Sequence, residues 1–444
     1  MNKLFNYFII IVFTILIIMF SIYNNLFLGI LALFISYYIS KSRNIKNYPL
    51  FLIITSLIIR LATILIMNID QVTDYYLINE AAIKFANNDF SFVNDSYFSV
   101  WAYQLGFTIY EGIIYKIFNS IWALKILNII YSTLTTYLIY KITNKFSSEK
   151  ASRFISLLYM ILPLPLLLNI TLNNHILSGL LILFSLTFII KKDAKSKDFL
   201  LASILLALSN IIRPETIIII FSIFIYMLLK INKNTYKNIF KNLLILIIIY
   251  LTINVGFSKL LILTNFNDVG LKNTNPTWKF VLGTNHETCG HYSFIDEVNI
   301  LGNKDLQKET ILNRIKDPIK DIKLLSCKAN NYWLLKDFDT LNTTYNDKKI
   351  FNISFNTIKK QVISFNSVIY LSIFILCLLS IFKSRNKLYK DNTILFVIIM
   401  ITNLFVFSLI EIQARYTYFN IICIFIISSY GFDYISNIIK KIKN

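Results

Sequence analysis

Two carboxylates directly follow an apolar segment near the start of the chain, and their position suits acid–base chemistry. The segment ends at Met67, and Asp70 and Asp74 come next, before a stretch (75–88) whose apolar residues recur at helical spacing. Partial removal from water raises the pKa of a carboxyl group, which suits a general base. We predict Asp74 and Asp70 as catalytic residues. A solvated loop whose acids serve no chemical role is the alternative.

Two arginines, each with an acid close by in sequence, could bind an anionic group. Arg213 and Glu215 flank a proline that interrupts a long apolar stretch, and Arg415 follows Glu411 in a short segment between the last two apolar runs. The planar guanidinium group donates to phosphate through a fork of N–H groups. Arg213 and Arg415 are therefore predicted phosphate ligands. The alternative for Arg213 is that it only pairs with Glu215 or extends towards water.

A polar segment in the second half of the chain contains residue types that bind metals, but at the wrong spacing. His286 and His291 stand five positions apart, whereas the zinc-protease motif places its histidines four apart so that both rings share one helix face. We therefore predict no metal site. Cys289 and Cys327 could form a disulfide if this segment faces an oxidising compartment.

The composition indicates what must position these residues. Of the 444 residues, 56% are apolar and 15% are charged, against roughly 45–50% and about 25% in soluble domains. Several apolar runs reach the ~17–25 residues that cross a bilayer as a helix. The runs are continuous rather than alternating, which excludes barrel strands. The sequence therefore predicts an all-α polytopic membrane protein and excludes a soluble fold.

The distribution of charge fixes a predicted topology. We predict spans at 5–22, 26–40, 49–67, 121–141, 152–169, 173–190, 199–212, 214–231, 239–263, 363–382, 393–411 and 416–434. With these twelve helices and both termini in the cytoplasm, the basic clusters between spans all fall on the cytoplasmic side. The net charge of +20 is thereby explained without a nucleic acid partner. The carboxylates and arginines described above then lie on the outer face of a cell membrane.

One apolar segment conflicts with this count. Counting 100–118 as a span would place the later basic loops outside, and the segment contains Gln104, Glu111 and Lys116. We predict that it lies on or dips into the outer surface as a juxtamembrane helix. An ordinary span with a broken charge pattern is the alternative.

The predicted organisation is one membrane domain with embedded outer loops. It comprises an N-terminal helical hairpin (1–48), a membrane core (49–263) with its outer loop (68–120), an extracytoplasmic loop region (264–362) and C-terminal transmembrane helices (363–444).

The order of several short motifs resembles the GT-C class of polytopic glycosyltransferases, which includes protein O-mannosyltransferases, lipid A aminoarabinose transferases and oligosaccharyltransferases. The motifs are the nine residues from Asp74, the segment Tyr103-Gln104-Leu-Gly, Arg213-Pro, Leu282-Gly-Thr-Asn285 with the following Gly-His-Tyr, and Glu411-x-Gln-x-Arg415-Tyr416. The closest look-alikes are membrane glycosyltransferases of Gram-positive bacteria. The polar turn 173–175 lacks the second carboxylate that some relatives have nearby, which argues against a metal-assisted mechanism.

The resemblance implies a GT-C-like bundle and a specific reaction. A polyprenyl-phosphate-linked sugar would be the donor, and a hydroxyl of an outer-surface glycan, lipid-linked polymer or protein would be the acceptor. Asp74 would act as general base, with inversion at the sugar, and Arg213 or Arg415 would neutralise the leaving phosphate. No cofactor is implied. The residues expected to contact substrate are Tyr103, Gln104, Glu215, Asn285, His286, Glu411 and Tyr416.

Two other functions remain open at this stage. A polysaccharide polymerase or ligase would use diphosphate-linked glycans, and a lipid-glycan transporter or flippase would favour internal repeats or mid-membrane charges. The sugar, the acceptor and the oligomeric state are not indicated by the sequence.

Overall fold

The computed structural model describes residues 26–42, 45–67, 70–232, 235–334, 349–350 and 353–443. The first predicted span (5–22), which is the first helix of the predicted N-terminal hairpin, lies outside the described residues. Asn68, at the start of the first outer loop (68–120), also lies outside them.

The described chain is helical almost throughout. Its helices are α1 (Phe27–Lys41), α2 (Tyr48–Ile66), α3 (Thr73–Ala86), α4 (Ser96–Val100), α5 (Leu105–Phe118), α6 (Ile121–Phe146), α7 (Glu149–Met160), α8 (Pro163–Leu167), α9 (Asn174–Ile189), α10 (Ser196–Ile212), α11 (Thr216–Leu229), α12 (Tyr236–Leu263), α13 (Trp278–Gly283), α14 (Phe294–Ile300), α15 (Lys304–Arg314), α16 (Pro318–Lys328), α17 (Phe355–Lys383), α18 (Arg385–Lys390), α19 (Ile394–Leu409) and α20 (Tyr418–Lys443). Two short strands, β1 (Lys349–Ile350) and β2 (Ile353–Ser354), pair antiparallel and are a small departure from the all-α prediction.

Each predicted span within the described residues is helical. The span predicted at 152–169 is divided into two helices, α7 and α8, because Pro163 starts a new helix. In the part of the chain that the structure describes, four helical segments are long and apolar enough to cross a membrane: Tyr48–Ile66, Tyr236–Leu263, Ile358–Lys383 and Ala414–Ile442. Shorter apolar helices accompany them at α1, α9, α11 and α19. The multi-pass, all-helical architecture is confirmed, while the count of twelve spans stays a prediction.

The last long helix, α20, forms the centre of the bundle. Its middle residues are fully buried: Ile421, Ile422, Cys423, Phe425 and Ile427. A helix that is apolar on all sides belongs in the interior of a bundle, and α17, α19 and α7 pack around it. By contrast, α12 exposes Leu244, Ile248 and Leu251, as expected of a helix that faces lipid tails.

The segment that conflicted with the span count turns sharply at its end. Residues 102–118 and 121–146 are bent by 117° relative to each other. Asn119 adopts a left-handed conformation (φ 43°) and Ser120 caps α6 through its hydroxyl group, which are typical helix-end signals. Helix α5 packs along α3, and its 14 residues span about 21 Å, less than the ~30 Å hydrocarbon core. These features favour the juxtamembrane prediction.

The predicted loop region at 264–362, called the second outer loop below, is attached through its described residues to the hairpin segment 410–417 between α19 and α20. The possible disulfide is present between Cys289 and Cys327. The ammonium group of the buried Lys328 donates to the carbonyls of Phe407, Ser408 and Ile410 at 2.9–3.2 Å, so it caps the C-terminal end of α19.

A close backbone approach completes this attachment. A Cβ atom on Gly283 would lie 2.3 Å from the carbonyl carbon of Ile410, so only glycine allows the contact. The Glu411 N–H donates to the carbonyl of Lys279 at 2.7 Å, and the Ile412 N–H donates to the carbonyl of Gly290 at 3.0 Å. The outer loop therefore fixes the backbone that leads to Arg415.

Candidate active site

Asp74 lies in the first turn of α3, where the chain emerges from α2. The preceding residue, Thr73, has a φ of 52°, which a β-branched residue adopts only when its surroundings force it, at a cost of about 1–3 kcal/mol. The Asp74 side chain is 47% exposed, and one of its oxygens lies 3.5 Å from Nη2 of Arg415. It is therefore an accessible carboxylate beside a cation.

Arg415 lies in a short 3₁₀ turn (Ala414–Thr417) before α20. Its Nη1 donates to the hydroxyl of Tyr75 at 2.5 Å, and its guanidinium group lies 5.2 Å from the centre of the Tyr75 ring. Its buried Nε has no hydrogen-bond partner among the described residues. Arg415 therefore retains an unused donor in a buried environment, where an unmet donor is costly.

Arg213 reaches the same place from the end of α10. The residue before a proline is driven out of the helical conformation, and Arg213 is accordingly extended (φ −154°, ψ 121°). Its guanidinium group pairs with Glu215 and donates to Oδ1 of Asn174 at 3.0 Å. Its buried Nε also has no partner among the described residues. The Arg213–Glu215 pairing, which the sequence left open as the alternative to a phosphate ligand, is present.

The two arginines meet on the ring of Tyr416. The guanidinium carbons of Arg213 and Arg415 lie 5.0 Å and 5.6 Å from its centroid. The structure thus brings together two cations that are distant in sequence, as a shared phosphate site requires.

A buried ion pair lies beside the hydroxyl group of Tyr416. Glu411 pairs with Lys279, accepts from Gln413 at 2.7 Å, and accepts from the Tyr416 hydroxyl at 3.4 Å. Burial opposes ionisation, but Lys279 outweighs it and holds the pKa of Glu411 below its ordinary value. Glu411 is thus an ionised, fully engaged carboxylate that orients Tyr416.

Tyr103 and Gln104 approach the arginines from the first outer loop. The amide of Asn174 bridges Gln104 to Arg213, because its Nδ2 donates to Oε1 of Gln104 at 3.2 Å while its Oδ1 accepts from Arg213. Gly106 allows this approach, since a Cβ there would lie 1.9 Å from the carbonyl oxygen of Ile211.

Two further residues belong to this cluster. The sequence did not single out Lys279, which lies between two aromatic residues, Trp278 and Phe280. His175 lies in the polar turn 173–175, and the sequence indicated that it could line the same cavity. Its ring stacks on Tyr416 with centroids 5.9 Å apart, and neither ring nitrogen has a partner among the described residues.

Two tyrosines complete the surroundings of Asp74. Burial, and then the Asp74 charge, raise the pKa of Tyr97 well above its ordinary value. Burial raises the pKa of Tyr292 to about 12, with contributions from Glu297 and Asp74. The Tyr292 hydroxyl group donates to Glu297, and Tyr97 is hydrogen-bonded with Gln104, so both phenols are already engaged beside Asp74.

The remaining predicted residues lie elsewhere. Asp70 is exposed and acts electrostatically on Lys125 rather than joining the arginines. Asn285 accepts from two backbone N–H groups and donates to Asp296 at 2.8 Å. His286 lies 3.0 Å from a carboxylate oxygen of Asp321. Asn285 and His286 thus organise the outer loop and make no contact with the arginines.

No group of three or more His, Cys, Asp or Glu side chains within the described residues could hold a metal ion.

Beside the site, a cavity of about 250 Å³ is lined by Tyr103, Pro214, Asn254, Lys259, Lys272 and neighbours. It joins Tyr103 and the turn after Arg213 to Lys259, near the C-terminal end of α12, and to Lys272 in the segment that follows α12.

Comparison with known proteins agrees with the predicted resemblance to the GT-C class. Residues 105–256 match the family described as Dolichyl-phosphate-mannose-protein mannosyltransferase. No protein among those with curated functions matches the chain.

The fold is similar to that of the Archaeoglobus fulgidus oligosaccharyltransferase in the apo form, with a TM-score of 0.50, 15% sequence identity, and coverage of 91% of this chain and 52% of that chain. The oligosaccharyltransferase AglB from the same organism, in complex with an inhibitory peptide and a dolichol-phosphate, gives a TM-score of 0.48 at 15% identity, covering 89% of this chain and 51% of that chain. The chain thus spans about half the length of these structures.

Proposed function

We propose that this chain is a membrane glycosyltransferase that moves a sugar from a polyprenyl-phosphate donor to an acceptor hydroxyl on the outer face of the membrane. The observation that carries the proposal is the contact between Asp74, an accessible carboxylate, and Arg415, a guanidinium group with an unused donor. A base and a phosphate ligand are the two parts that this transfer requires. The family match over residues 105–256 supports the same reaction class.

In the proposed reaction Asp74 accepts the proton of the acceptor hydroxyl. The hydroxyl oxygen forms a bond to the anomeric carbon from the face opposite the phosphate, and the carbon–oxygen bond to the phosphate breaks with its electron pair moving to the phosphate oxygen. The sugar is therefore inverted. A base must come within ~2.6–3.2 Å of the hydroxyl oxygen, and the half-exposed side chain of Asp74 leaves room for that approach.

The leaving phosphate gains negative charge, and Arg213 and Arg415 would stabilise it. Their guanidinium groups flank one tyrosine ring, so a phosphate near Tyr416 could accept from both. Charge-assisted hydrogen bonds of this kind are roughly twice as strong as neutral ones, and fixed cations stabilise charge that develops during reaction.

Glu411 is a poor candidate for the base. It is 3% exposed and already bonded to Lys279 and Gln413, so no acceptor hydroxyl could approach it without breaking these contacts. We assign Glu411 and Lys279 the role of positioning Tyr416, and through it the arginines.

The cavity beside Tyr103 suggests how an amphiphilic donor reaches the site. Lys259, near the C-terminal end of α12, and Lys272, in the segment after it, line this cavity, where the phosphate of a lipid would lie at the membrane surface. Two ammonium groups there would attract the phosphate, and Arg213, beside Pro214 of the same lining, would receive it.

The direct test uses the purified full chain in lipid vesicles with labelled polyprenyl-phosphate sugars and a mixture of cell-surface glycans as acceptors. The proposal expects acceptor-dependent release of polyprenyl phosphate and a glycosylated product detected by mass spectrometry. Turnover with diphosphate-linked oligosaccharides alone would instead identify a polymerase or ligase. Movement of the lipid-linked sugar across the bilayer without bond cleavage would identify a flippase.

A further inference from the structure

We propose that a groove between α10 and α12, at the end of these helices far from the candidate active site, binds one anionic phospholipid of the surrounding bilayer. The groove has a volume of about 950 Å³, which is large enough for a headgroup and part of its acyl chains. This site is independent of the proposed transfer reaction.

The position of the groove follows from the direction of the two helices. Ser196 at the start of α10 and Tyr236 at the start of α12 both line it. Near the other ends of the helices, Asn210 and Asn254 hydrogen-bond at 2.9 Å and line the small cavity beside the candidate site. The helices therefore run in parallel. The 17 residues of α10 separate the groove from Arg213 by about 25 Å.

The depth of the groove corresponds to a single leaflet. Along α12 its lining extends from Tyr236 to Ile249, which is about 20 Å of helix. Half of the hydrocarbon core of a bilayer is about 15 Å thick. The walls are apolar over most of this length, with Leu200, Phe240 and Ile248 each more than 40% exposed, so an acyl chain would cover side chains that are otherwise unpacked.

The charge of the groove is confined to one end. Lys197, Lys237 and Lys241 line it there, and all three are exposed. Asp198, which follows Lys197, is buried and paired with Lys191 at 2.6 Å, although its charge also acts on Lys197. Among the described residues the lining of the groove contains the three lysines and no acid, so its charge is positive. Basic pockets between transmembrane helices, adjoining apolar walls, bind anionic lipid headgroups. Charge at one end and apolar walls beyond it match an anionic phospholipid rather than a zwitterionic one.

The test measures which lipid stays bound. The full chain would be placed in nanodiscs containing equal amounts of phosphatidylglycerol and phosphatidylcholine, released, and analysed by native mass spectrometry. The proposal expects a bound phosphatidylglycerol in preference to phosphatidylcholine, and a loss of that preference by roughly tenfold or more in the triple variant K197Q/K237Q/K241Q. Excess inorganic phosphate should not displace the lipid, because the apolar walls hold its acyl chains.

Two further variants make the result specific. The variant K383Q/K440Q/K441Q removes the same charge from exposed lysines outside the groove and should keep the preference. L244W fills the groove without changing its charge and should reduce bound lipid even if the triple lysine variant fails to fold. Equal retention of both lipids by the parent chain, an equal loss in the control, or displacement by inorganic phosphate would each overturn the proposal.

Discussion

The carboxylate of Asp74 and the guanidinium group of Arg415 lie 3.5 Å apart, although Asp74 begins α3 and Arg415 precedes the last helix. The contact joins the first outer loop to the C-terminal hairpin. It depends on the second outer loop, because Lys279 and Gly290 bind the hairpin backbone through hydrogen bonds. Three segments that are distant in sequence are thus needed to place one base beside one phosphate ligand.

We expect Arg415→Ala and Arg213→Ala to weaken use of the donor more than use of the acceptor. Hydrogen bonds to charged groups contribute about 1.5–3 kcal/mol, so kcat/KM for the donor should fall by roughly 10- to 100-fold, measured by transfer in vesicles. Arg385→Ala is the matched control, because it removes an exposed arginine of α18, away from the outer loop that positions Arg415. A similar donor defect in Arg385→Ala would count against the assignment.

The predicted juxtamembrane position of α5 can be tested through the accessibility of its flanks. Single cysteines at Asn94 and Ser120 should both react with a membrane-impermeant maleimide applied from outside, since a juxtamembrane segment would leave both flanks on the same side of the bilayer. Cys377 and Cys423 are buried and should give little background. Labelling of position 120 only after the membrane is opened would mean that 100–118 crosses the bilayer.

The Cys289–Cys327 disulfide predicts a stability difference between the oxidised and reduced chain. It closes a loop of 38 residues, for which chain entropy allows at most about 4 kcal/mol of stabilisation. We expect the double variant Cys289→Ser/Cys327→Ser to unfold at a lower temperature than the parent, and reductant to lower the parent's midpoint but not the variant's. An unchanged midpoint would show that the outer loop holds its attachment to the hairpin without the bond.

Lys328 predicts a pH dependence of stability. Burial lowers its pKa from the ordinary 10.5 to about 8, so between these pH values the unfolded chain binds more protons than the folded chain. The free energy of unfolding should therefore rise with pH across this window, by at most about 3 kcal/mol. Lys328→Met should be less stable at every pH, because α19 loses its cap, and should lack this rise. A parent and variant that change in parallel from pH 8 to 10.5 would contradict the prediction.

The helices could be predicted from the sequence, because an apolar run long enough to cross a membrane has few alternatives to a helix that satisfies its own backbone hydrogen bonds. The end of α10 was also visible in the sequence, because the proline after Arg213 marks it. The bend after α5 and the short strands of the outer loop were not, since they depend on local backbone geometry and loop packing.

The candidate site was only partly visible in the sequence. Asp74, Arg213 and Arg415 stood out because a charged residue at the edge of an apolar run is unusual. Lys279 did not, because its role arises from a contact with Glu411, far along the chain, that no local pattern records. Conversely, Asn285 and His286 form a recognisable motif, but their bonds go to Asp296 and Asp321 in the outer loop.

The most direct measurement is sugar transfer by Asp74→Asn in purified membranes, with Asp70→Asn as the matched control. Asparagine keeps the size of the side chain but cannot accept the proton, and a general base contributes ~10²–10⁴-fold in rate. The account predicts a loss of that order in Asp74→Asn, with normal insertion and thermal stability, and a mild effect in Asp70→Asn. Near-normal transfer by Asp74→Asn, or a severe defect confined to Asp70→Asn, would contradict the assignment of Asp74 as the base.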